Sequence, residues 1–233
     1  MRIHSLQHVP FEDIGSLNKD IQELGFSLTT THWYKGDSAP ALESFDVLIV
    51  MGGPMGIYDE HLHPWLAAEK KFIAAAVNAG KKIMGICLGA QLLACVLGEK
   101  VTRNSHREIG WFPLHINAEA SDHPIAKILA TCAHVFHWHG DTFGLPENAQ
   151  LIASSDACKH QAFVVENRIY GFQFHLETTE VSANALIENC VEDLDNSTFV
   201  QTAEEMLRDK QKFISINQAM SEIFNQLLKE GDA

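Results

Sequence analysis

The residue best placed to act as a nucleophile is Cys87, which lies between two glycines in Gly85-Ile86-Cys87-Leu88-Gly89. An apolar run ends just before it and a helical pattern begins just after it. This G-x-nucleophile-x-G pattern is typical of a nucleophile elbow, a sharp strand-to-helix turn that needs small neighbours. The helix N-terminus would favour a thiolate at Cys87, and the backbone N–H of Leu88 would stabilise an oxyanion. The alternative is a structural cysteine buried in a glycine-rich turn.

A cysteine nucleophile needs a base, and the base needs a group that orients it. Among the thirteen histidines, His175 is the best candidate, because it ends the apolar run Tyr170–Phe174 and is followed by Glu177. Glu177 would hold the imidazole in the correct tautomer. The alternative is a surface histidine and a surface glutamate in a loop, which is the common case for any H-x-E.

A glycine-rich loop, Met51–Gly56, directly follows another apolar run. Backbone N–H groups of Gly52 and Gly53 can approach a substrate closely, so the loop is a candidate for a second oxyanion donor. A plain tight turn is the alternative. The segment is not a phosphate loop, because no Gly-Lys-Ser/Thr follows it.

Two histidines with a spacing of two, His137 and His139, would share one face of a strand and suit a metal ion. The sequence offers no convincing carboxylate or cysteine to complete their ligand set. We therefore expect no metal here.

The elements that must position these residues alternate along the first half of the chain. We predict strands at Arg2–Leu6, Phe26–Thr30, Asp46–Met51 and Lys82–Ile86, and helices at Ile14–Leu24, Pro64–Ala79 and Leu88–Leu97. This order implies parallel pairing with right-handed crossovers. The fold class is α/β, with a mostly parallel open sheet flanked by helices, and active sites of such sheets form at the carboxyl ends of the strands.

The middle and the end of the chain have different patterns. Short strands are expected at 101–102, 111–117, 134–138, 151–153, 163–166 and 169–174, with Asn167-Arg168 as a hairpin turn, so antiparallel pieces would extend the parallel core. Helices are expected at 181–194, 203–213 and 216–228. We predict a main α/β domain at 1–180 and a helical C-terminal extension packed on it at 181–233.

Composition excludes several classes of protein. The 233 residues carry a formal charge of -13, which argues against nucleic acid as a partner. No apolar run approaches the ~20 residues that span a bilayer, and the first residues lack the apolar region of a signal peptide. Five cysteines, an odd number, favour free thiols and a cytoplasmic location.

Taken together, these motifs resemble the class I glutamine amidotransferases, and most closely the glutaminase domain of GMP synthase-like proteins. The resemblance covers roughly residues 45 to 180 and rests on MGGPMG (51–56), GICLGAQ (85–91), HREIGW (106–111), HWHGDTF (137–143) and YGFQFHLE (170–177). It implies a flavodoxin-like fold and a triad of Cys87, His175 and Glu177. Leu88 with Gly52 and Gly53 would form the oxyanion hole, and the implied substrate-binding residues are Gln91, Trp138, His139, Gly140 and Asp141.

Two residues depart from the family's pattern. Leu176 replaces the proline that usually stands between the histidine and the glutamate of the triad. Trp138 stands where Ser or Asn is common, and its indole would alter which γ-glutamyl compound fits.

The resemblance implies hydrolysis of the γ-amide of glutamine through a γ-glutamyl thioester, without a cofactor. An alternative within the same chemistry is a γ-glutamyl peptidase or hydrolase, and an alternative of another class is a non-catalytic binding subunit that keeps the cleft. Nothing in the sequence looks like an ATP-dependent synthetase region. The protein would therefore work alone or donate ammonia to a separate synthetase.

Overall fold

The computed structural model describes residues 1–229, and the last four residues of the predicted C-terminal extension lie outside that range. Its strands are β1 Arg2–Gln7, β2 Ser27–His32, β3 Val47–Val50, β4 Lys82–Ile86, β5 Val101–Phe112, β6 His115–Ile116, β7 Val135–Phe143, β8 Gln150–Ser154, β9 Ala162–Val165 and β10 Ile169–Phe172. Its helices are α1 Leu17–Glu23, α2 Trp65–Asn78, α3 Leu88–Val96, α4 Pro124–Leu129, α5 Glu180–Asn189, α6 Ala203–Leu207 and α7 Lys210–Lys229.

Eight strands form one sheet in the order β2-β1-β3-β4-β10-β9-β8-β6. The first five pair in parallel, and β9, β8 and β6 continue the sheet as antiparallel strands. The order β2-β1-β3-β4 and then β10 is that of flavodoxin-like sheets. The predicted α/β class with an antiparallel extension is confirmed.

The central strands are buried on both faces, as their continuous apolar runs predict. In β3, Val47 and Ile49 join the hydrophobic core on one side of the sheet, whereas Leu48 and Val50 join the core on the other side. Helices cover both faces. No helix among residues 1–229 is long and apolar enough to cross a membrane.

The middle of the chain differs from the prediction in two ways. The expected strand at 101–102 and the start of the one expected at 111–117 belong to a single long strand, β5, which pairs with β7 in a separate two-stranded sheet, whereas His115–Ile116 forms β6 in the main sheet. Its polar central part, in which every residue from Thr102 to Arg107 is exposed or half-buried, hid the strand from a search for apolar runs. The hairpin turn before β10 is centred on Glu166 and Asn167, both with positive φ, and not on Asn167-Arg168.

The C-terminal helices also have different limits. The predicted break between Phe213 and Ile216 is wrong, because α7 runs without interruption and buries a stripe that includes Phe213, Ile216, Met220 and Ile223. The break lies earlier, at 208–209, where Asp209 accepts a hydrogen bond from the Gln211 N–H at 3.0 Å. An aspartate at that position is a usual start signal for a helix.

Candidate active site

Cys87 occupies the single residue between β4 and α3 and has φ 52° and ψ -109°. Residues other than glycine rarely adopt this backbone conformation, which costs on the order of 1–3 kcal/mol. Two hydrogen bonds hold it: the Cys87 N–H donates to the Phe172 carbonyl at 2.7 Å, and the Gln91 N–H donates to the Cys87 carbonyl at 3.1 Å. Cys87 therefore lies on a strained strand-to-helix turn, as the sequence pattern predicts.

The two glycines around Cys87 are required by close packing between the sheet and α3. A Cβ on Gly85 would lie 2.6 Å from the Gly89 backbone, and a Cβ on Gly89 would overlap the Val50 carbonyl of the neighbouring strand. Any larger residue at either position would push α3 away from β3 and β4. The spacing of the glycines thus follows from the geometry of the turn itself.

His175 and Glu177 follow the carboxyl end of β10, which is the direct neighbour of β4. The Nδ1 atom of His175 lies 2.6 Å from Oε1 of Glu177, and the two residues are 2% and 4% exposed. Burial alone would lower the pKa of His175, but the Glu177 charge and hydrogen bonds to Cys87 and Glu177 raise it well above its usual value. The sulfur of Cys87 also faces the carbonyl of Trp138, at 3.5 Å.

Gly52 and Gly53 follow the carboxyl end of β3 and lie against the same residues. A Cβ on Gly52 would come 3.2 Å from Cε1 of His175, and a Cβ on Gly53 would come 3.1 Å from Cδ2 of Leu88. The first N–H groups of a helix have no partner inside the helix, and Leu88 is the first residue of α3. The loop and the helix start therefore border one small space beside Cys87.

A cavity of about 420 Å³ opens at this edge of the sheet, and Cys87 lines it. Gly53 and all five residues expected to bind substrate also line it, namely Gln91, Trp138, His139, Gly140 and Asp141. Over residues 1–229 the lining does not include Gly52, Leu88, His175 or Glu177, which are buried. The Gln91 side chain donates to Oε1 of Gln173 at 3.2 Å.

The sequence analysis missed a group of polar residues that follows β1. Glu12 lines the cavity, and burial raises its pKa to about 7 even though the charges of His175 and His8 lower it. His8 is fully buried, with Nδ1 2.8 Å from the Gly52 carbonyl and Nε2 2.8 Å from Glu69 Oε1. The available signal was position alone, since both residues come just after the carboxyl end of a parallel strand.

Residues after β10 and on β5 close the other side of the cavity. Leu186, Cys190 and Asp193 line it together with Arg103 and Arg107. Asp193 is fixed there, because its carboxylate accepts from the Trp138 indole at 3.1 Å and its carbonyl accepts from Arg107 at 2.7 Å. The predicted C-terminal extension thus supplies part of the cavity wall.

The two histidines that prompted the question of a metal lie beside a buried carboxylate. Oε2 of Glu108 is 3.0 Å from Nε2 of His139 and 3.5 Å from Nδ1 of His137. Glu108 stands opposite His139 on the paired strand β5, a neighbour that linear spacing does not reveal.

Comparison with known proteins agrees with this geometry. The model of the family described as glutamine amidotransferase class-I matches residues 14–194. The glutamine amidotransferase-like protein YfeJ of Salmonella typhimurium is 32% identical over 213 residues, which cover 88% of this chain and 89% of that protein. A GMP synthase (glutamine-hydrolyzing) of Phocaeicola vulgatus is 29% identical over 66% of this chain, which spans only 30% of that longer protein.

Solved structures agree over nearly the whole chain. The crystal structure of SMU.1228c has a TM-score of 0.90 and 32% identity and covers 98% of this chain and 100% of that one. A glutamine amidotransferase of Thermotoga maritima has a TM-score of 0.88 and 27% identity, with 99% of both chains covered. The chain therefore belongs to the class I glutamine amidotransferase family.

Proposed function

We propose that this protein hydrolyses the γ-amide of glutamine with Cys87 as nucleophile, His175 as general base and acid, and Glu177 as the residue that orients His175. The observation that carries the proposal is the meeting of these side chains at the shared edge of β4 and β10. There a hydrogen bond joins the side chains of Cys87 and His175, and Nδ1 of His175 lies 2.6 Å from a buried carboxylate oxygen of Glu177. A merely structural cysteine would need neither the strained turn nor these partners.

The reaction would proceed in two steps. The Cys87 sulfur attacks the γ-carbonyl carbon as its proton passes to His175, and the C–N bond breaks as His175 gives that proton to the departing ammonia, leaving a γ-glutamyl thioester. Water then adds to the thioester as His175 takes a proton from it, and the C–S bond breaks as His175 returns that proton to the sulfur, which releases glutamate and restores the thiol. The N–H groups of Leu88 and the Gly52-Gly53 loop would stabilise the oxyanion in both steps. No cofactor is required.

The cavity wall supplies the proposed substrate contacts. Gln91 and the strand segment from Trp138 to Asp141 face the space next to the sulfur. This segment belongs to β7, which pairs with β5 on both sides of an irregularity between Arg103 and Glu108. A wall held in this way would keep the γ-carbonyl close to Cys87, and such positioning contributes much of the rate enhancement of an enzyme.

The test is ammonia release from glutamine by the purified chain alone. Replacing Cys87 with Ala should lower the rate by at least about 10⁴-fold, as loss of a nucleophile does in other triads. Cys95→Ala is the matched control, because Cys95 is a half-buried thiol on the same helix and does not line the cavity. Equal rates in the Cys87 variant and the unmodified chain would exclude the assignment, and a chain without hydrolysis of any γ-glutamyl compound would favour a binding subunit.

A second candidate is hydrolysis of larger γ-glutamyl peptides or amides by the same triad. The size of the cavity favours it, since about 420 Å³ lies in the range that accommodates drug-sized ligands, and glutamine is much smaller. Arg103 and Arg107 add cations to that wall. Measuring kcat/KM for glutamine and for a set of γ-glutamyl dipeptides distinguishes the two candidates. A preference of more than about tenfold, which corresponds to ~1.4 kcal/mol in transition-state stabilisation, would identify the substrate class.

A partner and a location complete the proposal. The relatives named GMP synthase are much longer than this chain, so a separate synthetase would be the acceptor if ammonia is transferred and not released. The five cysteines are all unpaired, which supports the cytoplasm as the location. Stimulation of glutamine hydrolysis by a co-purifying synthetase would support the partner.

A further inference from the structure

Glu108, His137 and His139 form a buried cluster beside the cavity, and only His139 among them belongs to the proposed substrate-binding wall. Glu108 and His137 have no exposed surface and His139 is 5% exposed. The two histidines project from the same face of β7, and Glu108 stands directly across from His139 on β5. One ligand atom from each residue lies within 4.8 Å of the other two.

The distances in this cluster match those of a tetrahedral metal site. Bonds of about 2.0–2.1 Å from zinc to nitrogen or oxygen imply roughly 3.3 Å between neighbouring ligand atoms. The Glu108 Oε2 to His139 Nε2 distance is 3.0 Å, and the Glu108 Oε2 to His137 Nδ1 distance is 3.5 Å.

The hydrogen bond on the far side of His139 indicates what lies between it and Glu108. Nδ1 of His139 is 3.0 Å from the Asp141 carbonyl, and a carbonyl only accepts, so Nδ1 carries the proton. Nε2 then points at Glu108 Oε2 at 3.0 Å, and a metal ion held by these two atoms is an arrangement that satisfies both of them. Histidine ligands of metals commonly donate their other ring N–H to a backbone carbonyl in this way.

His137 provides the second observation. Within residues 1–229, neither of its ring nitrogens makes a well-formed hydrogen bond, although the ring is fully buried and Nδ1 lies 3.5 Å from Glu108 Oε2. Leaving a buried polar group unpaired is costly, and a metal bond at Nδ1 would remove that cost.

A fourth ligand is available from Gln161. Its amide nitrogen lies 2.6 Å from Glu108 Oε2 and 3.5 Å from His139 Nε2, while its oxygen has no partner in the described part of the chain. The two ends of an amide are nearly identical in shape. Rotating the amide by 180° places the carbonyl oxygen beside Glu108 and His139 as a neutral ligand.

We propose that Glu108, His137 and His139 bind a zinc ion that joins β5 to β7. Because Trp138 lies between the two histidines, the ion would fix the strand whose next residues, Gly140 and Asp141, line the cavity. The ion takes no part in the hydrolysis. Imidazole nitrogens with a carboxylate oxygen are suitable ligands for zinc.

The test begins with metal analysis of the untagged chain expressed with added zinc. We expect about one equivalent of zinc per chain, with X-ray absorption showing nitrogen and oxygen ligands at about 2.0–2.1 Å. His137→Ala should lose the zinc. His134→Ala is the matched control and should keep the zinc, because His134 is an exposed histidine directly before the same strand.

Thermal unfolding supplies a readout that does not depend on folding of the variant. Zinc added to the chelator-treated, unmodified chain should raise its Tm, because a ligand that binds only the folded state stabilises it. A chain that binds no zinc and shows no change in Tm would overturn the proposal. Zinc retained in full by His137→Ala would overturn it as well, since the ion would then lie elsewhere.

Discussion

The imidazole of His175 lies 2.6 Å from the carboxylate of Glu177, and the single residue between them is Leu176. The expected turn-forming proline is therefore not needed for the contact. The loop is held from outside instead, by the Ser16 N–H on the Glu177 carbonyl at 2.9 Å and by the Asn217 side chain on the Leu176 and Thr178 carbonyls at 2.9 and 2.8 Å.

Glu177→Gln should lower kcat by about 10²–10⁴-fold, because an amide no longer fixes the tautomer or stabilises the charged imidazole. The pKa of His175 should also fall, since the Glu177 carboxylate is among the groups that raise it. The pH dependence of kcat measures both effects. The exposed Glu188→Gln provides the control, and a variant with the rate and pH profile of that control would contradict the role of Glu177.

Glu12→Gln should change how stability depends on pH. The pKa of Glu12 is raised from 4.5 to about 7, so between those values the folded protein keeps a proton that the unfolded chain has released. The free energy of unfolding therefore falls as pH rises through this window, by an amount on the order of 2–3 kcal/mol for this group.

Urea unfolding at pH 4.5 and pH 7.5 measures this slope. In the Glu12→Gln variant, the free energy of unfolding should fall less between these two pH values, and the variant should be more stable than the unmodified chain at pH 7.5. Glu147→Gln, at an exposed position, should leave the slope unchanged. Identical slopes in both variants would show that Glu12 titrates normally.

Gly89→Ala should destabilise the fold by about 3 kcal/mol or more, because its methyl group would overlap the Val50 carbonyl. Gly80→Ala is the comparison, because it introduces backbone strain without any steric overlap. Gly80 has φ +71° and open space around it, so the change should cost only about 1 kcal/mol. Equal free energies of unfolding for the two variants would mean that α3 moves freely away from β3.

Phe213→Ala should lower the free energy of unfolding by about 3–5 kcal/mol, since Phe213 is 4% exposed and packs edge-on against Trp111. The centroids of the two rings are 4.9 Å apart. The adjacent residue Ile214 is 59% exposed, and Ile214→Ala should change stability by less than about 0.5 kcal/mol. A single unfolding transition that shifts in the Phe variant would support a C-terminal extension packed on the α/β domain. A second transition that shifts alone would indicate an independent unit.

The sequence predicts those parts of the site that depend on local pattern. The Cys87 turn can be predicted from the sequence because its two glycines, the apolar strand before it and the helix after it are contiguous. Glu12 and Glu108 cannot be predicted in this way. Glu12 follows a strand but belongs to no motif, and Glu108 contacts His139 only because β5 pairs with β7. The limits of α7 were missed because the helix continues across Ile214 and Ser215, where the predicted break fell, and its buried stripe runs on from Phe213 to Ile216.

The hydrogen bonds from Asn217 to the carbonyls on either side of Glu177 have a consequence for how the site is assembled during translation. A chain grows from its N-terminus, so α7 leaves the ribosome after Cys87, His175 and Glu177. Until it does, the loop that carries Glu177 lacks its amide donor. We expect nascent chains stalled before α7 not to hydrolyse glutamine, so that the proposed site becomes competent only after α7 has been made.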